Sequence, residues 1–424
     1  MIMATPAEKL AESLIELEKL QNEKGIAVIK ADDLTRTHKE RLIVNGFIRE
    51  VIKGWYISCT SDEKQGETTS WYLSFWNFIA LYIDTRFGKD WCLSPEQSLS
   101  LHSGNFMVPG QLLIRSPKAS NNKVNLLHDS SIFDSKVEIP PHNARNEIEG
   151  VQVYSFEAGF VAVSSDFYTR HPTDARICLA MVKDSSGVLA KLLDGGKSLV
   201  AGRLSGAFRN IGNDKIANSI MDTMKSAGYD VRETDPFDEK IDFEPSSREV
   251  SPYVNRIKIM WKQMRNEVIK YFPDTPKEVL KVDDYLKHVK ENYRSDAYHS
   301  LSIEGYRVTP ELIEKVAGGD WDPNRSVEDR QQKDAMAARG YFQAFQVVMD
   351  SIRSVLEHSN PGEVVDNDHG SWYRELFAPS VAVGLVKASD LAGYRNGPVY
   401  INGSMHAPPD MKRFGIHCLF FLIC

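Results

Sequence analysis

Residues 295–316 read SDAYHSLSIEGYRVTPELIEKV. Ser300 and Glu304 stand four residues apart and so share one face of a helix. Gly305 lets the chain leave that helix at a positive φ, where a Cβ would be penalised. Thr309-Pro310 is start chemistry for the next helix, a capping hydroxyl followed by a proline in the first turn. The reading is a helix that ends on a projecting glutamate, a tight exit, and a second helix.

Strongly helical sequence surrounds this stretch, over 259–271, 279–293 and 330–357. In the last of these, Phe342, Phe345, Met349, Ile352 and Leu356 repeat at three and four residues, so one side packs against other helices. The C-terminal half is therefore read as mainly α.

The pattern Ser300-Leu301-Ser302-Ile303-Glu304-Gly305 matches [ST]-x-x-x-E-[GN], and the stretch resembles the inhibitory helix of Fic proteins, the protein adenylyltransferase family. Three further segments resemble the same family in the family's order: DAMAARGYFQAFQVVMDSI (334–352), WYRELFAPSVAVGLVKASDLAGYRN (372–396) and PVYINGSMHAPPD (398–410). The last is similar to the flap hairpin, whose edge around Val399, Tyr400 and Ile401 would pair with a target segment by strand addition. Bulky β-formers before Asn402-Gly403 also suit an ordinary structural hairpin.

The resemblance implies a protein that transfers AMP from ATP, with Mg²⁺, to a hydroxyl side chain of a target protein. It also implies a role for Glu304, pairing with an arginine of the catalytic motif in the space that the terminal phosphate needs. A carboxylate suits that task because it satisfies a bidentate guanidinium and repels phosphate. The catalytic motif itself, H-x-F-x-[DE]-G-N-G-R-x-x-R, is missing from the sequence. In the family its histidine takes the hydroxyl proton, its acid holds Mg²⁺ and its Gly-Asn-Gly turn cradles phosphate. His406 and His417 have no anion nest or metal acid beside them. No catalytic residue and no metal ligand is thus assigned, and productive ATP binding is not expected. The final residues, MKRFGIHCLFFLIC (411–424), change character and read as an out-of-frame or truncated tail. A helical domain cut in mid-core would expose apolar surface, which predicts poor solubility or a homo-oligomer.

At the other end, apolar Leu10, Leu14, Leu17 and Leu20 recur at helical spacing over 6–21. A short apolar stretch, Asp32-Asp33, a basic run from Arg36 to Arg41, and two short strands around Gly54 follow. Helix, short strand, helix, basic helix and hairpin together resemble a winged helix-turn-helix, and VNGFIREVIKGWYI (44–57) is similar to the N-terminal domain of abortive-infection antitoxins. Residues 24–53 hold seven Lys or Arg against four acids, although the chain has a net charge of −7. On this reading Arg36, His38, Lys39 and Arg41 lie on or near a recognition helix facing promoter DNA, where cations neutralise phosphates and Arg can address a guanine edge. The bland alternative is a solvated basic helix in a module that makes only protein contacts.

Between these ends, residues 61–235 alternate strand-like and helical stretches. Trp71, Phe75, Phe78, Ile79 and Tyr82 form an apolar stripe, read as core rather than ligand pocket. Val151, Val153, Tyr154 and Phe156 suggest a strand, and Asn213 or Asp214 opens a helix with Ile216, Ile220 and Met224 inward. Gly196-Lys197-Ser198 is not a P-loop, because its first glycine position is Lys191. His171-Pro172 is read as a surface loop. The acidic, proline-broken PFDEKIDFEPSSREVSP (236–252) is read as a linker.

The expected architecture is thus multidomain α+β. It runs from a winged helix-turn-helix (1–60) and an α/β accessory domain (61–235), through the acidic linker (236–252), to a mainly α-helical partial Fic domain (253–410) and an atypical apolar tail (411–424). Five scattered cysteines without C-x-x-C spacing indicate neither a disulfide framework nor a zinc site and fit a reducing cytoplasm. No export signal, membrane span or membrane partner is read.

Overall fold

The computed structural model describes residues 5–24, 28–59, 63, 68–238, 251–274, 281–319 and 333–391. The chain is mixed α+β, with small sheets and a helical C-terminal region. It divides at Lys270/Tyr271 into two compact units. Among the described residues no helix is long and apolar enough to cross a membrane.

The first unit opens with α1 (Pro6–Lys24), β1 (Val28–Lys30), a single 3-10 turn (Ala31–Asp33), α2 (Arg36–Val44), β2 (Ile48–Ile52) and β3 (Trp55–Ser58). The three strands form one antiparallel sheet in the order β1-β3-β2. Thr35 starts α2 by accepting the His38 N–H on its hydroxyl. Leu17, Ile29, Leu34, Leu42, Ile48 and Tyr56 make the small core beneath.

The next element, α3 (Thr69–Phe87), carries the predicted aromatic stripe, and Trp71, Phe75, Phe78 and Ile79 are completely buried. The Trp71 ring packs edge to face with Phe75 (5.4 Å between centroids) and Phe78 (5.5 Å). The stripe is core, as its helical spacing indicates.

Against it lies a mixed sheet of β4 (Cys92–Leu93), β5 (Gln111–Ser116), β6 (Lys123–Asn125) and β7 (Ser131–Lys136), in the order β4-β5-β7-β6. β5 and β7 run parallel, with Leu112 opposite Ile132. Asp134 on β7 is wholly buried and accepts N–H groups from Ser120 and Asn122 (both 3.0 Å) and the Arg86 guanidinium (2.7 Å). Burial opposes ionisation of this carboxyl, but the donated hydrogen bonds outweigh it and hold the group below the usual carboxylate range.

α4 (Pro95–His102) precedes β5, and a hairpin of β8 (Arg145–Ile148) and β9 (Val151–Tyr154) follows the sheet. The strand predicted through Phe156 stops at Tyr154. Ser155 accepts the Ala158 N–H and caps α5 (Phe156–Ala162), so a local cap overrides the apolar run.

Five further helices, α6 (Asp166–Arg170), α7 (Pro172–Met181), α8 (Ser186–Leu193), α9 (Ser198–Asn210) and α10 (Asp214–Ser226), build the larger helical core. Asn213 caps α10 and buries Ile216, Ile220 and Met224 as expected.

α11 (Pro252–Tyr271) also packs on this first unit, through buried Val254, Asn255 and Ile259. The helix that sequence assigned to the C-terminal domain thus begins on the accessory body. Most of the acidic segment before it, residues 239–250, lies outside the described residues.

The second unit holds α12 (Val282–Ile303), α13 (Pro310–Ala317), α14 (Lys333–Leu356) and α15 (Pro361–Ala382). Tyr293, Ala297 and Leu301 of α12 meet Ile313 and Val316 of α13 and Met336 and Ala338 of α14. Gly340 brings α14 close to the Leu376 carbonyl of α15, where no Cβ fits. The predicted stripe of Phe342, Phe345, Met349, Ile352 and Leu356 is only half-buried.

Candidate functional site

The end of α12 carries the Ser300–Gly305 stretch singled out in the sequence. The Gly305 N–H donates to the Ser302 carbonyl (3.0 Å), the Tyr306 N–H donates to the Leu301 carbonyl (3.0 Å), and Gly305 has φ +82°. This pair of bonds is a Schellman closure, and Tyr306 and Leu301 supply its usual apolar contact. Glu304 is the last residue before the left-handed glycine.

The Glu304 carboxylate is exposed and forms no ion pair among the described residues. It stands at a helix C-terminus, where the partial negative charge of the carbonyls repels an anion, typically by about 0.3–1 kcal/mol. The last turns of α12 are held to α14 by Tyr341, whose hydroxyl donates to Asp296 (2.5 Å) and lies 3.4 Å from the Ser300 hydroxyl. Burial, and then the hydrogen bond to Asp296, push the Tyr341 phenol up and keep it neutral. Ser300 thus faces the packed side of the helix, whereas Glu304, expected on the same face, is the exposed C-cap beyond the last helical residue. The flap residues Val399, Tyr400 and Ile401, with His406, His417 and the apolar tail, lie outside the described residues.

A groove of about 390 Å³ runs between α12 and α14, lined by Leu286, Lys287, Lys290, Phe345, Met349 and Arg353. It sits at the opposite end of α12 from Glu304, roughly 20–27 Å away at 1.5 Å per residue. It takes no part in the motif.

The four residues read as DNA contacts all fall in or at the start of α2, but each has an intramolecular employment. Arg36 is paired with Glu40 one turn on (2.7 Å). His38 Nδ1 is 2.9 Å from the Ser13 hydroxyl of α1. Arg41 donates to the Lys9 carbonyl (3.2 Å). Lys39 lies over the Tyr56 ring (5.8 Å). Arg36 remains 87% exposed, whereas His38 and Arg41 serve to dock α2 on α1.

Sequence reasoning missed a third cluster. Asp174, on α7, is 3% exposed and accepts hydrogen bonds from Ser100 Oγ (3.0 Å), Asn105 Nδ2 (2.9 Å) and Arg256 Nη2. Arg256, on α11, also donates to the Ser103 hydroxyl (3.0 Å). Cys178 lies one turn along α7, where burial keeps its thiol protonated. One carboxylate therefore gathers α4, α7, the loop after α4, and α11. His171, three residues before it, is half exposed and 4.0 Å from the carboxylate. No local motif announces this cluster, because its two charged members are 82 residues apart.

Beside it Asn255 is 1% exposed, and neither its amide nitrogen nor its amide oxygen has a partner among the described residues. Leaving both unpaired is costly. Asn255→Leu is therefore expected to raise the stability of the first unit by about 1–2 kcal/mol, read as a higher urea midpoint with an unchanged slope.

Comparison with protein-family models, with curated proteins and with solved structures finds no match for this chain.

Proposed function

We propose that the second unit is the regulatory half of a Fic-type protein adenylyltransferase, with Glu304 as its inhibitory carboxylate. The observation that carries this is the placement of Glu304: exposed at the dipole-disfavoured end of a helix, beside a Schellman closure, without a cation among the described residues. A carboxylate so placed is available to a guanidinium from another segment.

Among the described residues no group of three His, Cys, Asp or Glu could hold a metal ion, and the sequence contains no Gly-Asn-Gly-Arg turn for phosphate. Nucleotide binding and transfer to the hydroxyl of a target protein are therefore assigned to a segment carrying that motif. The test is to translate the DNA beyond the Cys424 codon in every frame. A histidine, acid and Gly-Asn-Gly-Arg cluster would support the assignment; its absence in all frames would remove it.

A second reading is a DNA-binding regulator, favoured by one observation. The sheet order β1-β3-β2, with α2 leading into the β2–β3 hairpin, supports this reading, while the helix expected before α2 is reduced to the 3-10 turn Ala31–Asp33. Promoter DNA is expected to bind with an affinity that falls steeply with salt. Arg36→Ala with Lys39→Ala should lower the slope of log K against log salt by about two. His38 and Arg41, bound to α1, are expected to affect folding more than that slope. Absent or salt-insensitive binding in an electrophoretic shift would end this reading.

A further inference from the structure

We propose that the face of α9 bearing Gly202 and Gly206 is a peptide-recognition groove, filled in this chain by its own residues 231–237. Its external partner is a protein segment of the pattern Glu-x-Asp-x-Phe, taken in extended form.

After α10 the chain turns at Gly228 and runs without helix or strand across α9. A Cβ at Gly202 would collide with the Arg232 carbonyl, and one at Gly206 with the Thr234 carbonyl, so the two glycines let a main chain lie directly on the helix. The Thr234 N–H donates to the Gly202 carbonyl (3.2 Å).

Side chains then read every second residue. Arg209 donates twice to Glu233, from Nε to Oε1 (2.6 Å) and from Nη2 to Oε2 (3.0 Å). Asn210 donates to Asp235 (2.8 Å). Phe237 stands edge-on to the Tyr168 ring (5.4 Å) under the Arg176 guanidinium (4.3 Å). Glu233, Asp235 and Phe237, at i, i+2 and i+4, each contact the helices beneath, and the Asp235 carboxylate also accepts the Phe237 N–H (3.0 Å). Of the residues between, Thr234 is exposed and Pro236 half-buried, while along the contact side exposure falls from Asp235, which is exposed, to Phe237, which is buried.

This is how a groove selects an extended peptide: main-chain bonding supports affinity and alternate side chains set specificity. The bidentate hydrogen bonds from Arg209 draw the Glu233 carboxyl below its ordinary range. Only Val231 and Phe237 are buried at the ends of the segment, and the contacts between them are polar. Both end residues belong to the larger helical core, so an exchanging segment must bring its own apolar residues to both ends. A tethered occupant competes at an effective concentration on the order of millimolar, so the groove is closed to partners until its own segment lifts.

The test uses the full chain and a fluorescein-labelled peptide DVRETDPFD, copied from residues 230–238. Glu233→Ala with Asp235→Ala removes the polar contacts of the internal segment, so that the peptide, which carries its own Val and Phe, can displace Val231 and Phe237. By anisotropy this variant is expected to bind the peptide at least about tenfold more tightly than wild type, and adding Arg209→Ala should abolish the gain. A folded variant that binds no better than wild type, or a gain that survives Arg209→Ala, would overturn the proposal. Should the variant not fold, wild type is followed by hydrogen exchange with about 5 mM unlabelled peptide, enough to compete with a millimolar tether. Faster exchange at 231–237 is expected, and unchanged protection overturns the proposal.

Discussion

Arg256→Ala is expected to destabilise the first unit by about 3 kcal/mol and to strip hydrogen-exchange protection from the start of α11. The Asp174 carboxylate is almost fully buried, and Arg256 is the cation that faces it at hydrogen-bond distance. Breaking a buried pair by deleting one partner leaves an uncompensated charge and costs about 3–5 kcal/mol. The lower end applies because the Arg256 side chain is 24% exposed and part of its field is already screened. Ser100 and Asn105 continue to donate to the carboxylate after the substitution.

Asp174→Asn with Arg256→Met should recover much of the loss, since it removes both charges and keeps the volume. The double variant separates the penalty of a lone charge from the value of the contact. Urea unfolding of the single variant within about 0.5 kcal/mol of wild type, the range of ordinary surface substitutions, would show that α11 is held by its apolar residues alone.

Glu304→Gly is expected to raise AMP transfer by about ten- to a hundredfold in a chain extended by a segment with the histidine, acid and Gly-Asn-Gly-Arg motif. A charge-assisted bidentate pair is worth about 1.5–3 kcal/mol, and each 1.4 kcal/mol is a factor of ten. Glycine is chosen because it removes the carboxylate at an exposed helix end without burying or exposing apolar surface.

Glu304→Gln should give an intermediate rise, since an amide keeps the volume and one acceptor but loses the charge. Transfer of labelled AMP from α-labelled ATP, measured at saturating target, is the readout. An unchanged rate would remove the inhibitory assignment. Ser300→Ala is expected to change little by comparison, because the Ser300 hydroxyl meets Tyr341 only at 3.4 Å.

The parts of the fold legible in the sequence are those governed by rules spanning a turn or two. The α12 exit at Gly305 was readable because a Schellman closure needs only a helix, a glycine and an apolar residue beyond it. The α3 stripe and the Asn213 cap were readable for the same reason. The charge of the 24–53 region was also countable. What could not be counted was its use, since Ser13 and the Lys9 carbonyl, partners of His38 and Arg41, come from another helix.

Local composition by itself determined that this chain is an α+β protein with a helical C-terminal half and a glutamate-ended helix at 304. Only the tertiary structure decided that α11 docks on the first unit, that β5 and β7 pair in parallel, and that residues 231–237 lie on the two glycines of α9. Caps and helical stripes are set by residues within about four positions of one another. The pairing of Asp174 with Arg256 requires closing a loop of 82 residues, and its free energy comes from burial that no local window contains.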